Sequence, residues 1–325
     1  MMTFNRDESQ RIKLIRTIAV CLILITHISQ EYKTGIEEWT NTGVQIFLII
    51  SGFLLGQKRP EKWGTWFRDR FIRLIPSYYA ILILTAGFYG IFLGTNIVNL
   101  QFISHFSMLH FMIFPEYPVW GGHLWYITAI VICYGLFPLF CKIRDMPLTY
   151  FLLLIFFAAP ALAAFFRHTP FPYRLSADIY AFVIGFAAAG LFGTKIPSYA
   201  TAISLCISFS ALCLRGAVLS VAADQSFINE IMYFAMPWIR VSLGFSLFLI
   251  FYSPVFNRLA YMKFAADFTD KYSYEIFLSH KNFILGPLSL LHISPIQPLN
   301  VAAAVILSVL LAVFIQKTSN RISRM

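Results

Sequence analysis

The fold is decided by residues 11–30, RIKLIRTIAVCLILITHISQ, which are apolar over a length that crosses a lipid bilayer. Two polar side chains stand in this stretch, Arg16 at its start and His27 near its end. They are eleven residues apart, so an α-helix presents both on nearly the same face, about 16 Å apart along its axis. Because ionisable groups inside a membrane are costly, both residues are candidates for a functional site.

The composition extends this pattern to the whole chain of 325 residues. Hydrophobic residues make up 58% of it and aromatic residues 17%, but charged residues only 12%, against about 25% in soluble domains. We therefore predict an all-α polytopic membrane protein, since the alternating ten-residue strands of a barrel are absent. The net charge of +10 does not indicate nucleic-acid binding, because the basic residues fall in short segments between apolar runs.

The apolar runs predict about ten transmembrane helices, one of them shorter than the usual length of about 17–25 residues. No soluble appendage is predicted, and residues 1–325 are expected to form a single integral-membrane domain. Segment 101–114 is amphipathic and is expected to be interfacial or re-entrant. The predicted spans are 12–30, 43–57, 73–93, 123–141, 148–166, 175–192, 197–214, 235–253, 272–291 and 297–316.

The basic residues predict the orientation of these spans. With the N-terminus in the cytoplasm, most of the 25 lysines and arginines fall in the predicted inner segments, as the positive-inside rule requires. Both termini are therefore expected in the cytoplasm. Arg16 then lies on the inner side of the membrane and His27 toward the outer side. The predicted outer loops hold Lys33, Arg167, Arg174 and Arg215.

A basic segment follows the second predicted span. Arg70 and Arg73 are three residues apart and project from one face of a helix. Guanidinium groups bind phosphates through paired hydrogen bonds, so we interpret these two as binding a phosphate-bearing ligand. The rest of the segment suits a loop against anionic lipid. In the span before it, Ser51 and Gly52 interrupt an apolar run, as small residues do where helices pack closely.

Histidines recur on the predicted outer side. His123 and Trp125 open a later span. A tryptophan at the interface is ordinary, whereas His123 adds an imidazole on the side of His27. His105 and His110 also lie in this region, but their spacing of five fits no helical pair of ligands and no carboxylate accompanies them. No metal site is predicted.

The last polar cluster is KYSYEIFLSHKNF, residues 271–283. It places Tyr274, Glu275, His280 and Lys281 in one predicted span. Such groups are costly in a membrane unless they line a cavity or pair across helices. The segment is therefore a candidate for a polar interior surface or for structural pairing.

Together these positions resemble the membrane-bound acyltransferase 3 family, bacterial enzymes that acylate cell-surface and secreted sugars. Its motifs occur in order between residues 16 and 280. The chain departs from the family at Lys13 and Ile130, where many members carry an acidic residue. The matching positions are Arg16 and His27 with ten residues between them; Gly43-Val44, Phe47 and Ser51-Gly52-Phe53; Arg70, Arg73 and Ile75-Pro76; Trp125, Tyr134 and Pro138; and Ser273-Tyr274, Ile276-Phe277-Leu278 and His280.

The resemblance implies acyl transfer, most often of acetyl, from acyl-CoA to a hydroxyl of a cell-surface or lipid-linked saccharide. It implies acetyl-CoA as co-substrate with Arg70 and Arg73 near its phosphates, no tightly bound cofactor, and a place in the bacterial cytoplasmic membrane. His27 and Arg16 are the implied catalytic residues, with His27 either a base or an acyl carrier. Residues expected to support the substrate or the structure are Ser51, His123, Trp125, Tyr274 and His280.

The residues leave two other functions open. A saccharide exporter or flippase has the same polytopic architecture and isolated intramembrane charges. A scaffold subunit needs no site at all. Acetyl-CoA discriminates between the enzyme and the exporter, because an exporter is expected neither to bind nor to hydrolyse it.

Overall fold

The structure, a computed structural model, describes residues 4–114, 120–144, 173–221, 225–258 and 263–322. These residues form helices and turns with no strand among them, which confirms the all-α prediction. Short 3-10 helices occur at His105–Ser107 and Pro254–Arg258. The helices are α1 Arg6–Tyr32, α2 Glu37–Thr40, α3 Gly43–Gly56, α4 Trp63–Leu93, α5 Leu100–Ser104, α6 His110–Ile113, α7 Trp125–Ile143, α8 Tyr173–Phe192, α9 Ser198–Val221, α10 Gln225–Tyr252, α11 Lys263–Ser279, α12 Lys281–Ile284 and α13 Gln297–Ile322.

Eight of the predicted spans coincide with helical stretches that are long and apolar enough to cross a membrane. The span predicted over 148–166 lies outside the described residues. The span predicted over 272–291 is not one helix, because α11 begins earlier and ends at Ser279. The short helix α12 follows, and the chain then turns at Gly286, which has a φ of 94°. Polar residues at 280–282 and the glycine–proline pair after them end the helix there.

The described residues group into two compact units. The division falls within α1, whose first half belongs to the first unit and whose second half belongs to the second unit. The expectation of one domain over residues 1–325 stays a prediction. The first unit contains the described residues of 1–19, 42–59 and 135–266, and the second unit those of 20–41, 60–134 and 267–325.

The first unit is built on close packing between α3 and α8. A Cβ atom at Gly52 would overlap the carbonyl of Phe182, and one at Gly185 would overlap the carbonyl of Ile49. Each helix therefore presents a glycine to the backbone of the other. Small residues allow such an approach, which agrees with the packing interpretation of Gly52.

Two arginines of the first unit cap the carboxyl ends of helices. Arg11 donates from Nη1 to the carbonyl of Tyr252 at 2.7 Å, and its guanidinium lies 4.8 Å from the centre of the Tyr252 ring. Arg144 donates to the carbonyl of Gly56 at 2.5 Å. The last carbonyls of a helix lack partners within it and carry partial negative charge. These two cations therefore stabilise the fold.

Polar contacts in the second unit give the relative directions of three helices. Along the contacts between α4 and the α11–α12 segment, residue numbers increase in both partners, so α4 and α11 run parallel. Along the contacts made by α13, its residue numbers decrease as those of α11 increase, so α13 is antiparallel to α11. The predicted order of spans requires the same directions for the third, ninth and tenth spans. The contacts are Leu74–Tyr274, Ser77–Glu275 and Thr85–Asn282 for α4, and Ser279–Ser308 and Ser77–Ser319 for α13.

The segment containing α5 and α6 turns back along α4. Tyr78 donates from its hydroxyl to the carbonyl of His105 at 3.0 Å, and Tyr79 donates to the carbonyl of Phe106 at 2.7 Å. Tyr78 is fifteen residues before Leu93 at the end of α4, about 22 Å along the helix. The segment therefore reaches the middle of α4, which favours the re-entrant alternative over the interfacial one.

Candidate active site

The candidate site forms around the carboxyl end of α11, in the second unit. Within a membrane the last carbonyls of a helix need donors from other side chains. His280 is fully buried and donates from Nδ1 to the carbonyl of Phe277 at 2.7 Å, with that of Ile276 at 3.2 Å. His123 is also buried and donates from Nε2 to the carbonyl of Leu278 at 3.0 Å. Two imidazoles thus cap the end of α11.

These hydrogen bonds fix the tautomers of the two rings. A carbonyl oxygen only accepts, so Nδ1 of His280 and Nε2 of His123 carry the protons. In the neutral rings, Nε2 of His280 and Nδ1 of His123 are then unprotonated acceptors. Both atoms are buried without a hydrogen-bond partner among the described residues. Buried acceptors of this kind are costly, and a ligand that brings a donor satisfies them.

His27 brings a third imidazole to this cluster from the second half of α1. Its ring centre lies 5.0 Å from that of His280, which lies 5.2 Å from that of His123. His27 donates from Nδ1 to Oε1 of Gln30 at 2.7 Å, so its Nε2 is the unprotonated nitrogen. We call these three residues the histidine cluster. No group of described side chains is placed to hold a metal ion.

Lys281 adds a positive charge beside the histidine cluster. It follows His280 directly, is half-buried, and acts electrostatically on all three imidazoles. A cation near basic nitrogens is suited to stabilise an oxyanion that forms there. The arrangement is therefore suited to acyl transfer to a hydroxyl, in which a proton leaves and negative charge develops on a carbonyl oxygen.

Arg70 and Arg73 lie near the beginning of α4. Arg70 is half-buried, with its guanidinium 5.6 Å from the centre of the Trp66 ring, and Trp66 packs against Tyr134 at 5.7 Å. Arg73, nearly one turn further along, is exposed. Two guanidinium groups on one helical face beside an aromatic surface form a candidate site for phosphates.

The length of α4 separates these arginines from the histidine cluster. Thr85 accepts a hydrogen bond from Nδ2 of Asn282 at 3.2 Å, and Asn282 is two residues after His280. Thr85 is fifteen residues after Arg70, about 22 Å along α4. The structure therefore brings His27 together with His123 and His280, and holds Arg70 at a distance from them.

Two further predicted residues of the second unit lie close to the cluster along the chain. Trp125 is half-buried at the start of α7, two residues after His123. Tyr274 donates from its hydroxyl to the carbonyl of Leu74 at 3.1 Å. Tyr274 therefore joins α11 to α4. This contact is structural and lies next to Arg73 along α4.

Two predicted residues belong to the first unit. Arg16 is half-buried on α1. Ser51 donates from its hydroxyl to the carbonyl of Phe47 in its own helix, at 2.8 Å. This bond occupies the only proton of the Ser51 hydroxyl, as is usual for serines within transmembrane helices.

Sequence reasoning missed two contributors to the site. Gln30, which orients His27, is three residues after it and therefore on the same helical face; that spacing was the available signal. The pairing of His123 with the end of α11 joins residues 155 positions apart. No pattern near either residue predicts this contact, because it depends on where α11 ends.

These features define a class: a polytopic helical membrane protein with three imidazoles gathered at a helix end. The model of the acyltransferase domain family, acyltransferase 3, matches residues 9–317, nearly the whole chain. The chain therefore belongs to this family and is a membrane acyltransferase, as its sequence resemblance implied. No curated protein and no solved structure matches it.

Proposed function

We propose that the protein moves an acyl group, in the simplest case acetyl, from cytoplasmic acyl-CoA to a hydroxyl of a cell-surface or lipid-linked saccharide. The proposed location is the bacterial cytoplasmic membrane. One observation carries the proposal: the hydrogen bonds of three neighbouring imidazoles leave one nitrogen of each ring unprotonated. An unprotonated imidazole nitrogen accepts a hydrogen bond and then a proton, and the hydroxyl of an acceptor alcohol can supply both.

In the proposed reaction His27 is the general base. Its Nε2 takes the hydroxyl proton as the hydroxyl oxygen bonds to the thioester carbonyl carbon. The carbon–sulfur bond then breaks, and the proton passes from His27 to the leaving sulfur to give the free thiol. A general base of this kind contributes about 10²–10⁴-fold to the rate. Lys281 is proposed to stabilise the oxyanion formed in between.

The tautomers favour this role over an acyl carrier. Each imidazole of the cluster has its proton on the nitrogen that is bonded to the protein. If His27 attacked the thioester itself, none of the three would present a proton to the departing sulfur. With His27 as base, the proton taken from the hydroxyl becomes available for that sulfur.

The donor is proposed to approach along α4. Its phosphates would contact Arg70 and Arg73. Arg16 is proposed as the second catalytic residue on the strength of the family motif alone. The thioester end would extend beside α4 and α11 toward the histidine cluster. The parallel course of these helices supports this, since they connect the arginine end with His280 through a series of polar contacts.

Replacement of His27 tests the proposal directly. A strain with His27→Gln is expected to lose at least ~100-fold in acylation of its surface glycan at normal protein level, because the base is lost. His292→Gln is the matched control, since His292 pairs with Glu31 outside the cluster at 3.2 Å. The mass of the glycan reads out acylation, and the mass difference names the acyl group.

Normal acylation in the His27 variant would refute the assignment. Binding of labelled acetyl-CoA by the purified protein distinguishes the enzyme from an exporter. An exporter is expected neither to bind acetyl-CoA nor to hydrolyse it.

A further inference from the structure

Glu275 is a buried carboxylate that the proposed reaction leaves unused. It lies on α11 in the second unit, with 6% of its surface exposed. Ser77 of α4 donates from its hydroxyl to Oε1 of Glu275 at 2.9 Å. Among the described side chains no other donor bonds to this carboxylate, and no lysine or arginine forms an ion pair with it. Of the two interpretations of segment 271–283, a polar interior surface therefore fits Glu275 better than structural pairing.

The hydrogen bonding of Glu275 is incomplete within the second unit. A carboxylate inside a membrane is costly unless donors or a cation stabilise it. The Ser77 hydroxyl lies 2.9 Å from Oε1 and 3.1 Å from Oγ of Ser319, but it has a single proton to donate. The other carboxylate oxygen, Oε2, keeps its capacity to accept. Glu275 therefore suits a ligand that brings an N–H or O–H group.

Glu275 lies between the two ends of the proposed donor path. Its partner Ser77 is seven residues after Arg70, about 10 Å along α4. On α11, Glu275 is five residues before His280, about 7.5 Å along that helix. A donor with its phosphates at Arg70 and its thioester at the histidine cluster therefore passes this carboxylate part-way along its arm.

The arm of acyl-CoA carries groups that fit this position. Between the phosphates and the sulfur it contains two amide groups, each with one N–H donor. An amide N–H that leaves water needs an acceptor, and an ionised carboxylate is a stronger acceptor than a neutral oxygen.

We propose that Glu275 binds an amide N–H of the acyl-CoA arm through Oε2, while Ser77 holds Oε1. The inference rests on the proposed function, since it assumes that acyl-CoA is the donor and that its arm extends beside α4 and α11. Glu275 touches the arm and not the reacting carbonyl. It is therefore a binding and positioning residue, which sets the depth of the thioester.

Glu275→Leu removes the acceptor at a similar side-chain size. A hydrogen bond to a charged group corresponds to about 10–150-fold in affinity, so the KM for acetyl-CoA of the purified protein in liposomes is expected to rise within this range. We expect kcat to stay within about twofold, because the bond is made equally in the ground state and the transition state. The melting temperature is expected to hold, since an apolar residue replaces a buried carboxylate that has no cation.

Glu38→Leu is the matched control, because it makes the same replacement at an exposed carboxylate of α2. It is expected to keep the wild-type KM. Glu275→Gln keeps the side-chain size and an oxygen that accepts from Ser77, but its acceptor is neutral. Its KM is expected to lie between those of the wild type and Glu275→Leu.

Two donor analogues measure the contact itself. In each of them an ester oxygen replaces one amide N–H of the arm, which removes a donor and leaves the length of the arm unchanged. With the wild type, one analogue is expected to raise KM by at least about tenfold. With Glu275→Leu the same analogue is expected to change KM by less than about twofold, because its acceptor is already gone. A merely structural carboxylate would change KM by the same factor for acetyl-CoA and both analogues.

The outcomes are distinguishable. If Glu275→Leu keeps the wild-type KM, or if neither analogue couples to it, this inference is overturned, while inactivity of His27→Gln leaves the proposed function standing. If Glu275→Leu does not accumulate, the wild type and Glu275→Gln decide, and equal KM values of the wild type for acetyl-CoA and both analogues overturn the inference. If the purified protein does not bind acetyl-CoA, the proposed function fails first and this inference fails with it.

Discussion

Replacing Arg70 or Arg73 by glutamine is expected to weaken binding of the donor without slowing the chemical step. A hydrogen bond to a charged group contributes about 1.5–3 kcal/mol, which corresponds to about 10–150-fold in affinity. Arg73 is exposed and screened by solvent, so we expect about tenfold or less for Arg73→Gln. Arg70 is half-buried against Trp66, so a larger effect within that range is expected.

The assay is the KM for acetyl-CoA with the purified protein in liposomes. Contacts with distant phosphates are made equally in the ground state and the transition state, so KM is expected to rise at unchanged kcat. Arg68→Gln is the matched control, because Arg68 is exposed and pairs with Asp69 at 3.5 Å. We expect less than about a twofold change for it.

A donor that lacks the 3′-phosphate of CoA sharpens the test. An arginine that binds this phosphate is expected to matter less with the shortened donor, which a double-mutant cycle measures as a coupling energy. The reasoning is refuted if both variants keep the wild-type KM. It is equally refuted if kcat falls while KM stays constant.

A further prediction concerns stability. Gly52→Ala is expected to destabilise the protein by about 1–3 kcal/mol, because its Cβ meets the backbone of α8. Gly216→Ala enters open space and is expected to be neutral or stabilising. Equal melting temperatures of the two variants would contradict this.

Much of the architecture could be predicted from periodicity and composition. Apolar runs of membrane length determine where helices cross, because lipid leaves the backbone no other partners. The end of α11 at Ser279 could not be predicted in this way, because polar residues 280–282 are equally compatible with the polar face of one continuous span over 272–291. The break is stabilised by donors for the last carbonyls of α11, and one of these donors, His123, is distant in sequence.

The candidate site was predicted in its residue types but not in its geometry. His27 was identified because a polar residue in an apolar helix is costly. His123 and His280 were identified with it, but only the fold brings the three rings within about 5 Å of their neighbours. Arg11 was not predicted to have a structural contact. As one of the basic residues it supported the predicted topology, but the sequence does not reveal that it caps a helix at Tyr252.

The continuous helix α4, from Trp63 to Leu93, has a consequence for the range of donors. On the proposed function it is a ruler, with phosphates at the Arg70 end and the reacting carbonyl near the level of Thr85. The helix therefore selects donors by the length of the arm between phosphate and thioester, and not by the length of the acyl group beyond the thioester. Longer acyl chains leave the carbonyl at the same depth, whereas a donor with a shortened or lengthened arm misplaces it.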